Sequence, residues 1–220
     1  MKELSEAEIR ELAGQLRSPQ GEQGIDVGQK MHETNINMTM AGVDALKLVK
    51  GDILLEIGHG NASHVKQTLN RDHGLHYAGL DISETMHEEA RRINSALIDR
   101  GHASFHLYGG ETFPFPDNLF HKIMTVNTIY FWDRPSAILE EAHRVLKPEG
   151  LLSIVFAQKS FMEELPFVEY GFRLYDNNDI ERLVEQTLFE IIHTQTVTEQ
   201  VESKDGSQVE RTFTTITLKG

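Results

Sequence analysis

The 220-residue chain is 39% hydrophobic and 25% charged, and its 34 Asp and Glu against 21 Lys and Arg leave a formal charge of −13. Those proportions suit one ordinary globular domain, whose negative field repels phosphate backbones and argues against nucleic-acid binding. Zero cysteines exclude disulfides, thiol nucleophiles and thiolate metal sites. No apolar run approaches a membrane span, and the acidic start from Met1 to Glu6 lacks the order of a secretory signal, so a cytoplasmic protein is expected.

Ser5-Glu6-Ala7-Glu8 has the spacing of a capping box and opens a short helix to about Arg17, stopped by Ser18-Pro19-Gln20-Gly21. The polar stretch from Gly21 to Gly28 reads as a connection. Ile36, Met40, Val43 and Leu46 recur at helical spacing and predict an amphipathic helix over 30–49. From Asp52 the pattern alternates between strand and helix. Residues 53–57 form a short apolar run suited to a strand buried on both faces. Residues 62–70 read as a helix and 77–82 as a strand. Ser83 is an N-cap for a helix with Met86, Ala90, Ile93 and Leu97 on one side. Strands are predicted over 104–108 and 123–129. A helix from Pro135 then buries Ile138, Leu139, Ala142 and Val145 and stops at Pro148-Glu149-Gly150. Residues 151–157 make a fifth strand and 180–186 a helix. The β-branched runs 189–198 and 212–218 are joined through Asp205-Gly206, a hairpin signal.

This alternation predicts an α/β, doubly wound, Rossmann-like sheet, mostly parallel, with an antiparallel C-terminal hairpin. The single domain would comprise an N-terminal helical cap (1–50), a ligand-binding core (51–158), and a lid loop, last helix and closing hairpin (159–220). In such a sheet, ligands bind beyond the carboxyl ends of the strands where the winding reverses. Strand one ends in Leu54-Leu55-Glu56-Ile57-Gly58-His59-Gly60-Asn61-Ala62, and strand two ends at Asp81. Two glycines let the backbone turn tightly and a ligand approach it, although any tight strand-to-helix connection can use them. A carboxylate at the end of strand two is placed to accept both hydroxyls of a ribose. Ser63 stands where a dinucleotide turn has its third glycine. Glu56 puts a carboxylate where a diphosphate would sit, and it suits an ammonium or sulfonium cation better. No G-K-[ST] follows, which excludes a P-loop. The ligand reads as an adenosine without phosphates.

These residues, together with Pro114-Phe115-Pro116-Asp117-Asn118-Leu119-Phe120 and Arg144-Val145-Leu146-Lys147-Pro148-Glu149-Gly150, resemble the class I S-adenosylmethionine-dependent methyltransferases. The resemblance is strongest over residues 50 to 160 and is closest to the small-molecule branch (methyltransferase type 11) related to quinone biosynthesis. It implies a seven-stranded sheet in the order 3-2-1-4-5-7-6, S-adenosylmethionine as cofactor with S-adenosylhomocysteine as product, and methyl transfer to a small-molecule acceptor. It further implies that Glu56, Gly58, His59 and Gly60 surround the methionine part of the cofactor. Asp81 would hold the ribose, and Ile82 and Met86 would pack on the adenine.

Two departures stand out. Ala62 occupies the family's third glycine position. After strand three, Gly109 replaces the usual adenine-binding Asp, leaving the Gly110 N–H and Glu111 to do that work. Asn127 and Tyr130 keep the spacing of the N-P-P-Y motif of amino-methylating enzymes, without its prolines.

Three consecutive aromatics at 130–132 on a loop at the ligand edge are expected to present Tyr130 or Trp132 to substrate. The run from Phe161 to Tyr175, including Tyr170, reads as a lid or as a satellite core. Met31 and Asn35 lie in a stretch resembling the M-N-x-x-N of close relatives and are expected near the sulfonium. No residue identifies itself as a general base, with Tyr130, His59 and His32 the candidates. The histidine pairs 73/76 and 102/106 lack a converging carboxylate, so no metal is expected and the histidines read as surface groups. Two rivals stay open: a non-catalytic adenosine-binding module, and a nicotinamide-dependent reductase that Glu56 and Ser63 disfavour.

Overall fold

A computed structural model of the chain describes residues 5–202 and 208–220. The capping box forms: the Ser5 N–H donates to the Glu8 carboxylate at 2.7 Å, and Ser5 Oγ accepts from the Glu8 N–H, opening α1 (Glu6–Arg17). The stop at Ser18-Pro19 is also present, but the expected connection after it is not. Helix α2 runs unbroken from Gly21 to Ala45. Its glycines are contact points, not breakers. A Cβ on Gly24 would lie 2.7 Å from the Pro19 carbonyl carbon, and one on Gly28 would lie 2.5 Å from Met86 Sδ. The helix gains close packing at the intrinsic cost of glycine in a helix, about 1 kcal/mol each.

The alternating segment gives β1 (Ile53–Ile57), α3 (Val65–Leu69), β2 (His76–Asp81), α4 (Glu84–Ile93), α5 (Ser95–Asp99) and β3 (Ala103–Leu107). It continues with β4 (Phe120–Val126), α6 (Pro135–Val145), β5 (Leu146–Ala157), α7 (Lys159–Met162), α8 (Asn177–Val184), β6 (Glu190–Glu202) and β7 (Gln208–Lys219). Ser83 caps α4 by accepting the Met86 N–H at 3.1 Å. The sheet has the order β3-β2-β1-β4-β5-β7-β6, parallel through β5 and antiparallel at β7 and β6. This is the expected seven-stranded Rossmann-like order. Asp205-Gly206, the hairpin signal, lies outside the described residues.

Strand β4 starts and ends three residues earlier than its apolar run suggests. Asn127 takes a positive φ of 56° and turns the chain into a short 3-10 turn, Ile129–Phe131. Helix α3 is shorter than the 62–70 reading because Ala62, at φ 53°, still belongs to the glycine turn. The helix read through Leu97 breaks at Asn94, whose side chain donates to the carbonyls of Ala62 and Ala90.

Leu54, Tyr77 and Phe105 project to one face, where Val43, Val65 and Ala90 cover them. Leu55, Ala78, Leu80 and Ile123 project to the other, beneath α6 and α8. Alternate residues of β1 therefore enter different cores, and Glu56 shares a face with Leu54. Among the described residues no helix is long and apolar enough to cross a membrane.

Candidate functional site

The winding reverses between β1 and β4, and a cleft of about 460 Å³ opens beyond their carboxyl ends. Gly58 and Gly60 line it at φ 78° and 56°. They serve different purposes. A Cβ on Gly58 would collide with the Thr128 methyl, whereas one on Gly60 would meet nothing within 4 Å. Gly58 closes the turn against β4, and Gly60 keeps its surface open to the cleft. Ala62 adopts a left-handed conformation that favours glycine, with its methyl fully buried.

Asp81 is buried at the cleft wall, and both its oxygens are positioned by backbone. Oδ2 accepts the Gly60 N–H and Oδ1 the Ser83 N–H, each at 2.9 Å. Every ionised carboxylate oxygen has more than one acceptor direction, so ribose hydroxyls can still be received. Ile82, 39% exposed, presents an apolar side chain beside Gly110, whose Cβ position lies 3.7 Å from it. Nothing lies within 4 Å of a Cβ on Gly109. Met86 lines the cleft from beneath, fully buried against Gly28.

Glu56 is almost wholly buried. His64 Nε2 donates to its Oε2 at 2.7 Å, and the Tyr77 hydroxyl donates to the same oxygen. Burial pushes the Glu56 carboxyl up, but the charge and hydrogen bond of His64 and the Tyr77 bond outweigh it, holding the group below the usual carboxylate range. Burial, with Glu56 beside it, drives the Tyr77 phenol well above its usual value. His32 of α2 stacks on His64 at 6.3 Å between ring centres, and burial and that neighbour lower its basicity. His59 and His64 are thus interior groups, which corrects the reading of the histidines as surface residues. His59 Nδ1–H donates to the Gly60 carbonyl at 2.6 Å, its ring packs edge-on against Phe105, and its Nε2 is buried without a partner among the described residues.

The aromatic loop is a second correction. Tyr130 is 3% exposed, and its hydroxyl bonds Asn127 Oδ1 and the Ala157 backbone. Burial raises the pKa of the Tyr130 phenol, which stays protonated near neutral pH, and Tyr130 is not among the residues lining the cleft. A 3-10 turn folds the loop back over the β4–β5 core, which is how consecutive aromatics become buried together. Phe131 and Trp132 still line the cleft. The Asn127 amide is committed to Tyr130, Ala157 and Met38, although it too borders the cleft. Glu111 lines the cleft rim and is ion-paired with Arg134 at 2.9 Å, both mostly exposed.

Of the two readings of the 161–175 run, lid or core, its packing is that of a core segment. Phe161, Met162, Phe167, Phe172 and Tyr175 pack on the main core, and Tyr170 lies under Arg10 at 4.9 Å, away from the cleft. The cleft is covered by α1 and α2 through Leu16, Arg17, Met31, His32 and Asn35. Asn35 is oriented from the hairpin. Arg211 Nη1 donates to Asn35 Oδ1 at 2.8 Å, and Arg211 is itself paired with Glu199 at 2.6 Å. A guanidinium only donates, so the Asn35 NH2 is the end left unengaged by Arg211.

A family model described as a methyltransferase domain matches residues 55–154. The chain is 30% identical over 128 residues to the uncharacterized methyltransferase YdaC of Bacillus subtilis, an alignment spanning 58% of this chain and 68% of that one. The chain belongs to the class I S-adenosylmethionine-dependent methyltransferases. The fold of this methyltransferase is also that of a SAM-dependent methyltransferase from Aquifex aeolicus (TM-score 0.65, 17% identity, 95% and 97% of the two chains). A geranyl diphosphate methyltransferase solved with its diphosphate and sinefungin shares it as well (TM-score 0.68, 13% identity, 86% and 78%). S-adenosylmethionine is the cofactor, and the nicotinamide alternative falls away.

Sequence reasoning missed His64, Tyr77, Thr128 and Arg211. A polar residue one turn beyond a glycine loop, or on a buried strand, carries no periodic signal that says which partner it meets. The one available hint was Glu56 itself, an acid in an apolar strand that must find donors.

Proposed function

We propose that this methyltransferase transfers the methyl group to a small-molecule acceptor by in-line displacement. The observation that carries the reading is the cleft itself: about 460 Å³, roofed by α1 and α2 and walled by Phe131 and Trp132. That volume suits a nucleoside-sized cofactor and a compact acceptor, and its rim cations are countered, Arg17 by Asp133 and Arg134 by Glu111. With both of those arginines paired, the cleft rim favours a small molecule over a polymer backbone.

The residues present fit the cofactor. Gly60 leaves open space where a side chain would intrude, and Asp81 offers a carboxylate fixed by two N–H groups. Asp81 would hold the ribose, Ile82 and Gly110 the adenine, and Glu56, Gly58 and Gly60 the amino-acid part. Met31, Asn35 and Trp132 would border the acceptor. When bound, the sulfonium supplies an electrophilic methyl. The chain's contribution is to align the acceptor, exclude water and hold the groups close, effects that lower such barriers by about 7–11 kcal/mol.

A methyl-transfer screen with labelled S-adenosylmethionine against small metabolites, with DNA and RNA alongside, tests this. Transfer to a small molecule is expected. Labelled polymer overturns the acceptor class, and tight S-adenosylhomocysteine binding without transfer to any candidate favours the non-catalytic module.

A further inference from the structure

Glu56 is a buried anion in an apolar strand, and its two donors reach it from separate elements. His64 comes from the turn before α3 and Tyr77 from β2, where its register partner is Leu54. Gly79, the register partner of Glu56, has no side chain, and the His59 ring fills that space. Both donors meet the same atom, Oε2. Oε1 receives no hydrogen bond among the described residues, and Glu56 lines the cleft. Oε1 is not among the fully buried unpartnered atoms, so it opens to the cleft, and no third protein donor reaches it among the described residues. The rim arginines point their charge at Asp133 and Glu111, and His32, desolvated against His64, adds no cation of its own. The free oxygen is suited to an incoming alkylammonium.

We propose that His64 and Tyr77 are positioning residues that hold Glu56 by one oxygen and aim the other at the ammonium of the cofactor's amino-acid part. The inference rests on the cofactor placement proposed above. The ammonium donates to Oε1 as the two side chains prevent the carboxylate from rotating or withdrawing. No proton need be transferred, because the carboxyl is already ionised.

Two ligands separate this role from a merely structural one. S-adenosylhomocysteine carries the amino acid, and methylthioadenosine keeps the nucleoside and thioether without it. Titration calorimetry on the full chain compares both ligands in wild type, Tyr77→Phe, His64→Gln and Glu56→Gln, with melting temperature recorded for each. In all three variants S-adenosylhomocysteine affinity is expected to fall about tenfold or more, the size of a lost charge-assisted bond, while methylthioadenosine affinity stays within about twofold. The conservative Tyr77→Phe keeps the ring and guards against unfolding. An equal loss for both ligands, or no loss for either, overturns the positioning role. A wild type that binds the two ligands equally overturns the ammonium contact. A wild type that binds neither overturns the cofactor placement, and the inference with it.

Discussion

The Gly60 N–H donates to Asp81 Oδ2 at 2.9 Å, tying the glycine turn after the first strand to the acid that ends the second. The turn and the carboxylate therefore form one unit, with Ser83 N–H on the other oxygen. Asp81→Ala removes the ribose contact and also orphans two backbone donors, the Gly60 N–H in the glycine turn and the Ser83 N–H at the start of α4. S-adenosylhomocysteine affinity is expected to drop more than tenfold, the loss of about 1.5–3 kcal/mol for a charged hydrogen bond, and the unliganded melting temperature is expected to fall with it. Unchanged affinity in calorimetry would remove Asp81 from the cofactor site.

The two glycines should respond differently to a side chain. Gly58→Ala places a methyl into Thr128 at a positive φ, so the variant is expected to be destabilised with or without ligand. Gly60→Val meets no protein atom near its Cβ and carries only the strain of a left-handed backbone, about 1–2 kcal/mol. Its sheet should stay folded while added S-adenosylhomocysteine no longer raises the melting temperature. Ligand protection that survives in Gly60→Val would make that glycine structural only.

Stability should decline with acid from near neutral pH. Burial lowers the basicity of His32, His87 and His106 from the ordinary 6.5. Above that value both folded and unfolded chains are neutral at these rings, so the groups cost nothing. Below it the unfolded chain binds protons first, and folding loses stability as pH falls. Melting temperature is expected to be flat above about pH 7 and to fall below about 6.5, with a shallower slope in His106→Gln. A profile that rises toward acid in that window would contradict the burial of these rings.

The fold was legible because its signals are local. Short apolar runs, Ser83 as a cap, and the Gly58-x-Gly60 turn each announce an element or its end. Asp81 was legible because it ends a strand. What escaped depended on long-range packing. Gly24 and Gly28 read as breakers until Pro19 and Met86 were seen against them. The β4 end was misplaced because the chain stays β-prone past Val126, and only the φ of Asn127 turns it aside. Tyr130 looked like a binding residue because a loop position says nothing about the carbonyl and amide of Ala157 that wait for its hydroxyl. His64 and Tyr77 could be recognised only once β1, β2 and α3 were brought together.

The aromatic positions now predict three distinct outcomes. Trp132→Ala enlarges the wall of the cleft and should weaken acceptor turnover, while S-adenosylhomocysteine affinity changes by less than about 1 kcal/mol, since the adenosine end at Asp81 and Ile82 is built from other strands. Tyr130→Phe leaves the Ala157 N–H with only its longer 3.3 Å bond to Asn127, so it should lower stability by about 1–3 kcal/mol with a smaller effect on acceptor affinity. Tyr170→Ala removes a surface cation–π contact with Arg10, about 0.5–1 kcal/mol at an exposed site, and should leave turnover intact. Thermal melts and steady-state kinetics on the acceptor found by the screen distinguish these cases. Turnover lost in Tyr170→Ala but kept in Trp132→Ala would move the acceptor out of the cleft and onto the 161–175 segment.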